Sequence, residues 1–178
     1  MDLLIREVQS GDEHGIVAIL NRIIAAGTYS ALDTPQTVQS EREFIAGFPE
    51  RGVFCVAENR QDGRIVGLQT LEPFATYTRA FDHVGVIGTW VDLSLGRHGI
   101  GTCLCRAGFE RAKSKGYEKL FALVRADNQP ALDFYRTVGF RVVGTARKHA
   151  KFGETYVDEV IIEKFLDGVG RNREGSLR

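Results

Sequence analysis

Leu93-Ser94-Leu95-Gly96-Arg97-His98-Gly99-Ile100-Gly101-Thr102 sets three glycines between an apolar run, His83 to Val91, and a segment with helical periodicity. In such a turn the backbone N–H groups can close around a phosphate. The helical reading of the segment after Gly99 rests on Ile100, Cys103, Leu104 and Ala107 at i, i+3, i+4 and i+7. Lys113 and Lys115 fall in its last turn and Gly116 stands as its stop. The glycine-lined start of this helix offers unpaired N–H donors and the positive end of the dipole, with Arg97 and His98 close by in sequence. A pyrophosphate suits that terminus. Glycine at these places also serves a plain strand-to-helix turn, so both readings stay open. The spacing is neither a Walker loop, having no Gly-Lys-Ser/Thr, nor a Gly-x-Gly-x-x-Gly fingerprint.

A second constellation lies downstream. Residues 122–140 read as strand, polar turn, short helix and new strand. Asn128 and Pro130 mark the helix entry, since Asn caps well and Pro is tolerated in a first turn. Gly139 ends it. Ala131, Phe134, Tyr135 and Val138 share one helical face, which aims Tyr135 at the sheet. Taken alone, a tyrosine on an apolar face is also ordinary packing.

Together the two segments resemble the GNAT superfamily of N-acetyltransferases. Gly99-x-Gly101 matches the second half of that family's pyrophosphate motif. Asn128 through Ala131, Phe134-Tyr135 and Gly139-Phe140 match its second cofactor motif. The resemblance runs from Ile5-Arg6 to Glu163-Lys164. It is closest in feel to bacterial phosphinothricin and amino-acid N-acetyltransferases, through Gly27-Thr28-Tyr29-Ser30-Ala31-Leu32-Asp33-Thr34-Pro35 and the acidic helix after it. The implied architecture is α/β (α+β): a central mixed, mostly antiparallel sheet of about seven strands flanked by about four helices.

Composition fits without discriminating. The chain has 178 residues, 43% of them hydrophobic, enough for one good core. Its formal net charge is zero, so no basic excess points to nucleic acid and no charged block reads as an interaction tail. Cys55, Cys103 and Cys105 are an odd number without metal-ligand spacing, and the latter pair faces different ways on a helix; no metal is expected. Asp2, Arg6 and Glu7 interrupt the apolar start and no run reaches the length of a membrane span, so no membrane association and a cytoplasmic location are expected.

The chain reads as strands at 2–8, 52–58, 64–74, 83–92, 119–125, 140–149 and 154–163. Helices are expected from Asp12 to Ala26, from Val38 to Phe48, from Gly99, and around Tyr135. Asp62-Gly63 is a hairpin signal. One domain is expected over residues 1–167, followed by a glycine-rich, charged tail at 168–178 that is flexible and dispensable.

Acyl transfer from a thioester to an amine needs an uncharged amine, support for the developing oxyanion and a proton for the thiolate. The resemblance makes acetyl-CoA the co-substrate and Tyr135 the general acid; a thiol pKa of about 8.5 makes its anion a tolerable leaving group. It places the pyrophosphate on Gly96, Arg97, His98, Gly99, Ile100 and Gly101, with the Thr102 hydroxyl as an extra donor. Val91 and Leu93 offer main-chain groups to the pantetheine arm, and Asn128, Ala131 and Phe134 complete the cofactor side.

Two departures matter. Gly96 stands where relatives usually carry Gln or Arg, which shifts weight to Arg97. Many relatives place a glutamate base on the strand before the cofactor turn, but Val84 to Val91 contains no carboxylate. His83 is the expected substitute, because an imidazole with a pKa of about 6.5 can take a proton at neutral pH. Asp82, Glu72 and Asp92 are weaker candidates, and loss of the proton to solvent is a further route. For the acceptor, Tyr29, Phe74, Tyr77 and Arg79 could hold a small amine bearing a carboxylate, as an amino acid does. A peptide or protein amine, or a non-catalytic CoA sensor, are the alternatives. From resemblance alone, a homodimer is expected.

Overall fold

The computed structural model describes residues 1–166; the expected tail at 168–178 and the end of the expected domain lie outside them. In chain order the elements are β1 Leu3–Glu7, α1 Glu13–Ala26, α2 Val38–Ala46, β2 Val53–Asn59, β3 Ile65–Pro73 and β4 Val84–Val91. After them come α3 Ile100–Ser114, β5 Lys119–Arg125, α4 Gln129–Thr137, β6 Arg141–Phe152 and β7 Thr155–Phe165. The expected elements are all present. The last two strands run longer than read, because their solvent-facing residues hide the alternation at the tips. Short 3-10 turns at Arg79–Phe81 and Leu93–Leu95 carry no periodicity to read.

Among the described residues the strands form one sheet in the order β1-β2-β3-β4-β5-β7-β6. Every neighbouring pair is antiparallel except β4 and β5. That parallel pair is short: Val84, Gly85 and Val86 meet Lys119, Leu120 and Phe121, and pairing then stops. β4 continues to Val91 alongside β3, and β5 continues to Arg125 alongside β7. The sheet therefore splits down its middle beyond Val86.

Two apolar layers hold it. On one face Ile100, Leu104 and Ala112 of α3 and Leu132 and Tyr135 of α4 pack with Leu71, Ile87, Leu120 and Ala122. On the other, Ile16, Ile19 and Ile23 of α1 pack with Phe54, Val56 and Leu68. Each such side chain contributes about 1.5–3 kcal/mol on burial. No helix among the described residues is long and apolar enough to cross a membrane.

The contact between α1 and α2 contains a misfit. Glu13 accepts from the Arg42 guanidinium at 2.8 Å and from the Gly11 N–H at 2.7 Å. Glu41 is 4% exposed and its Oε1 has no hydrogen-bond partner among the described residues. Burial, helped by the charge of Glu13, pushes the Glu41 carboxyl above its ordinary range. A carboxyl whose folded pKa exceeds its unfolded pKa holds more protons in the folded state between the two values, so stability falls as pH rises through that interval. Glu41→Gln is therefore expected to raise Tm at pH 8 relative to the parent and to lose that advantage near pH 4; melting curves at both values check it.

Candidate active site

The split between β4 and β5 exposes backbone. Asp92 N donates to Val66 O and Phe74 N to Val84 O, so the even-numbered residues of β4 turn their polar groups to β3. Thr89 and Val91, of the other parity, turn theirs to the side where β5 has departed. Val91 thus has main-chain groups free for an extended ligand. Leu93 sits two residues past the strand end in a 3-10 turn and is 41% exposed.

Beyond the split the chain turns into α3. Arg97 has φ of 66° and Gly99 φ of 77°, both left-handed. For Arg97 that conformation costs on the order of 1 kcal/mol and is retained only where the turn requires it. From Gly96 to Thr102 no backbone N–H donates to any described group. This run of unpartnered donors at a helix start fits a pyrophosphate. His98 is folded back on the turn, its Nδ1 3.0 Å from Gly96 O and 3.2 Å from Leu95 O, so it braces the loop. Ile100 is 1% exposed, which leaves only its N–H for a ligand.

α4 closes the other side. Asn128 caps it, accepting from Ala131 N at 3.2 Å, and its Nδ2 donates to Tyr29 O at 3.1 Å. The amide thus ties α4 to the segment after α1, and its second N–H and second lone pair are left for the expected cofactor contact. The Phe134 ring lies over Gly101, where a Cβ would come within 2.9 Å of Cζ. The two sequence motifs are thus in direct contact, and glycine at 101 is what lets α4 approach.

Tyr135 points inward, 6% exposed, its ring edge-on to Phe140 at 5.0 Å. Burial raises its phenol well above the ordinary value, while hydrogen bonding from the Thr89 side chain and backbone works the other way. The hydroxyl therefore sits at the split, protonated. Beneath it is a polar cluster the sequence did not signal. Gln69 Nε2 donates to Thr89 Oγ1 at 3.0 Å and to Cys105 Sγ at 3.2 Å. Burial pushes the Cys105 thiol up to about 11, so it is no nucleophile near neutral pH.

The opposite face of the sheet is lined by other groups. Trp90 lies along β4 across Gly88, a position where any Cβ would collide with the indole. The segment from Gly27 to Thr37 is tethered at several points. Asn21 Nδ2 donates to Gln36 O at 2.9 Å and Gln36 N to Asn21 Oδ1 at 2.7 Å. Arg125 Nη1 reaches Ser30 O at 3.4 Å. Arg125 itself, 7% exposed, forks onto Asp127 and lies 4.8 Å from the Phe152 ring centre. An arginine at the end of an apolar strand was the signal available for it.

The other expected acceptor residues do not converge. Tyr29 is beside the start of α4, through its carbonyl. Phe74 meets Phe81 and Phe121 edge-on at 5.2 and 5.5 Å between ring centres, near the pinched end of the split. Tyr77 is 83% exposed, and the Arg79 side chain is 97% exposed with a loose 3.5 Å pair to Asp82. Both occupy a loop tip. His83 also corrects an expectation. Its carbonyl accepts from Glu118 N and Lys119 N, so it stands exposed at the closed end of the β4–β5 pair. Six residues of strand, roughly 20 Å, separate it from Thr89, too far for a direct proton transfer there.

Residues 17–140 match the model of the acetyltransferase (GNAT) family. The chain is 31% identical over 98 residues to the L-amino acid N-acetyltransferase AaaT of Escherichia coli, covering 54% of this chain and 59% of that one. It is 23% identical over 171 residues to the L-methionine sulfoximine/L-methionine sulfone acetyltransferase of Pseudomonas aeruginosa, covering 94% and 96%. A phosphinothricin acetyltransferase from Sinorhizobium meliloti, solved in complex with AcCoA, shares the fold with a TM-score of 0.84 at 17% identity, over 93% of this chain and 89% of that one.

Proposed function

The chain belongs to the GNAT acetyltransferase family, and on that premise we propose that it moves an acetyl group from acetyl-CoA to the primary amine of a small molecule, an amino acid or analogue, by direct transfer. The observation that carries the reading is the juxtaposition at the split: unpartnered N–H donors from Gly96 to Thr102, free main-chain groups at Val91, and a protonated Tyr135 held by Thr89 between them.

Acetyl-CoA supplies the activated acyl group. The α3 terminus holds its pyrophosphate, and Val91 aligns the arm. Tyr135 keeps its proton until sulfur leaves and then gives it up. Direct transfer is supported by the Cys105 thiol, which burial keeps protonated and so unfit to relay the acyl group. A small acceptor is supported by the segment from Gly27 to Thr37, which Asn21, Arg125 and Asn128 hold beside the ends of β5 and α4 and which would narrow the approach for a longer chain. The names of the relatives, which include acetyltransferases of amino acids and their analogues, agree with it.

The test compares kcat/KM for free amino acids with that for short peptides carrying the same N-terminal residues. Free amino acids are expected to be preferred by at least about tenfold; a preference for peptides would replace this reading with the peptide one. Arg125→Gln, which releases that segment at Ser30, is expected to raise the acceptor KM by about tenfold with acetyl-CoA affinity unchanged. Steady-state kinetics and calorimetry check both halves.

A further inference from the structure

Acyl transfer to an amine needs a group that takes the ammonium proton, and neither β4, which has no carboxylate, nor His83, at the closed end, supplies it. We propose that Glu72 on β3 is the general base, a role that rests on reading the split as an acyl-transfer site.

Glu72 is the register partner of Val86, and Val86 is also the last β4 residue paired to β5. The Glu72 backbone thus lies about 5 Å from the point where the split opens and about 10 Å along the strand from the level of Thr89, a span that its side chain and one bridging water cover. Alternation along β3 sets its face. Gln69 contacts Cys105 on the α3 side, whereas Leu68 packs with α1 on the other. Glu72 shares the parity of Leu68 and so projects toward the acceptor face, opposite the layer holding Tyr135. Base and acid then flank the split from its two faces, as they must if the amine arrives from one side and the thiol leaves on the other.

Other carboxylates near the split are engaged. Glu163 is paired with Lys119 and Arg141, Asp127 with Arg125, Asp82 with Arg51, Asp92 with Arg22, and Glu159 stands 3.8 Å from His149. The half-buried Glu72 carboxylate makes no hydrogen bond or ion pair among the described residues.

In the step itself, Glu72 takes one proton from the acceptor ammonium and later passes it to solvent. The nitrogen lone pair forms the C–N bond as the C–S bond breaks. Sulfur takes the Tyr135 proton, and the second nitrogen proton returns to the Tyr135 oxygen through water. One acetyl group moves from sulfur to nitrogen and one proton is released.

The experiment measures kcat/KM against pH for the parent, Glu72→Gln and Glu72→Gln/Val86→Glu, with melting and calorimetric binding of acetyl-CoA as controls. Glu72→Gln is expected to lose about 10²-fold in kcat/KM near neutral pH and to flatten the acid limb of the profile, with acetyl-CoA affinity and Tm retained. Since residues 72 and 86 are cross-strand partners, Val86→Glu is expected to restore at least about tenfold. A Glu72→Gln profile within about threefold of the parent, with the same acid limb, overturns the proposal. If the parent acetylates no amine, the acyl-transfer reading itself fails, and the two proteins are compared instead in hydrolysis of acetyl-CoA in buffer, where the same base must deprotonate water. Equal hydrolysis by parent and Glu72→Gln then overturns the proposal on its own.

Discussion

Replacing Tyr135 with phenylalanine is expected to lower kcat by ~10²–10³-fold while leaving acetyl-CoA affinity within about threefold. The variant removes one oxygen and little else. The ring packs against Phe134 at 5.3 Å and Phe140 at 5.0 Å, contacts that phenylalanine keeps. What is lost is a phenol that burial holds protonated beside Thr89, at the edge of the split. The donors from Gly96 to Thr102 are untouched, so binding should survive. Thiol release gives kcat and calorimetry gives affinity. An unchanged kcat would remove Tyr135 from the acid role, and a parallel loss of affinity would make it a binding residue.

Gly108→Ala is expected to destabilise the protein by ~2–3 kcal/mol, a fall in Tm of roughly 4–12 °C. A Cβ at Gly108 would land on Gln69 Oε1. Gln69 is 1% exposed and held by its bonds to Thr89 and Cys105, so it has no open space to enter. Either α3 lifts from β3 or the amide abandons those bonds. The second response frees Thr89, and with it the setting of Tyr135, so kcat should fall as well. Differential scanning calorimetry reads the first effect. The double variant Gly108→Ala/Gln69→Ala should recover part of the lost Tm, because the clash and its partner are removed together. A Gly108→Ala protein that melts with the parent would mean that α3 yields freely.

Much of the fold, and of the layout of the two motif segments, was legible in the sequence because it is local. Helix periodicity placed α3 and α4, Asn128 and Pro130 marked the entry of α4, and the alternation of apolar residues aimed Tyr135 inward. The family resemblance joined the two cofactor segments, and the contact of Phe134 with Gly101 is that union in space. What stayed hidden depends on register. That β4 and β5 pair for only three positions is recorded by no spacing along either strand. Glu72 faces the split because it lies opposite Val86, a neighbour fourteen residues on. Asn128 was assigned by motif, but its bond to Tyr29, 99 residues away, has no local signal. Tyr77 and Arg79 looked like acceptor contacts by composition, yet a 3-10 turn carries them to a solvated tip.

The most direct measurement is thiol release from acetyl-CoA by the purified protein across amino acids, their analogues, polyamines, aminoglycosides and short peptides, with acetylated product identified by mass. The account predicts turnover with free amino acids or close analogues, and an N-acetyl product. Tight binding of acetyl-CoA without turnover on any amine would contradict it.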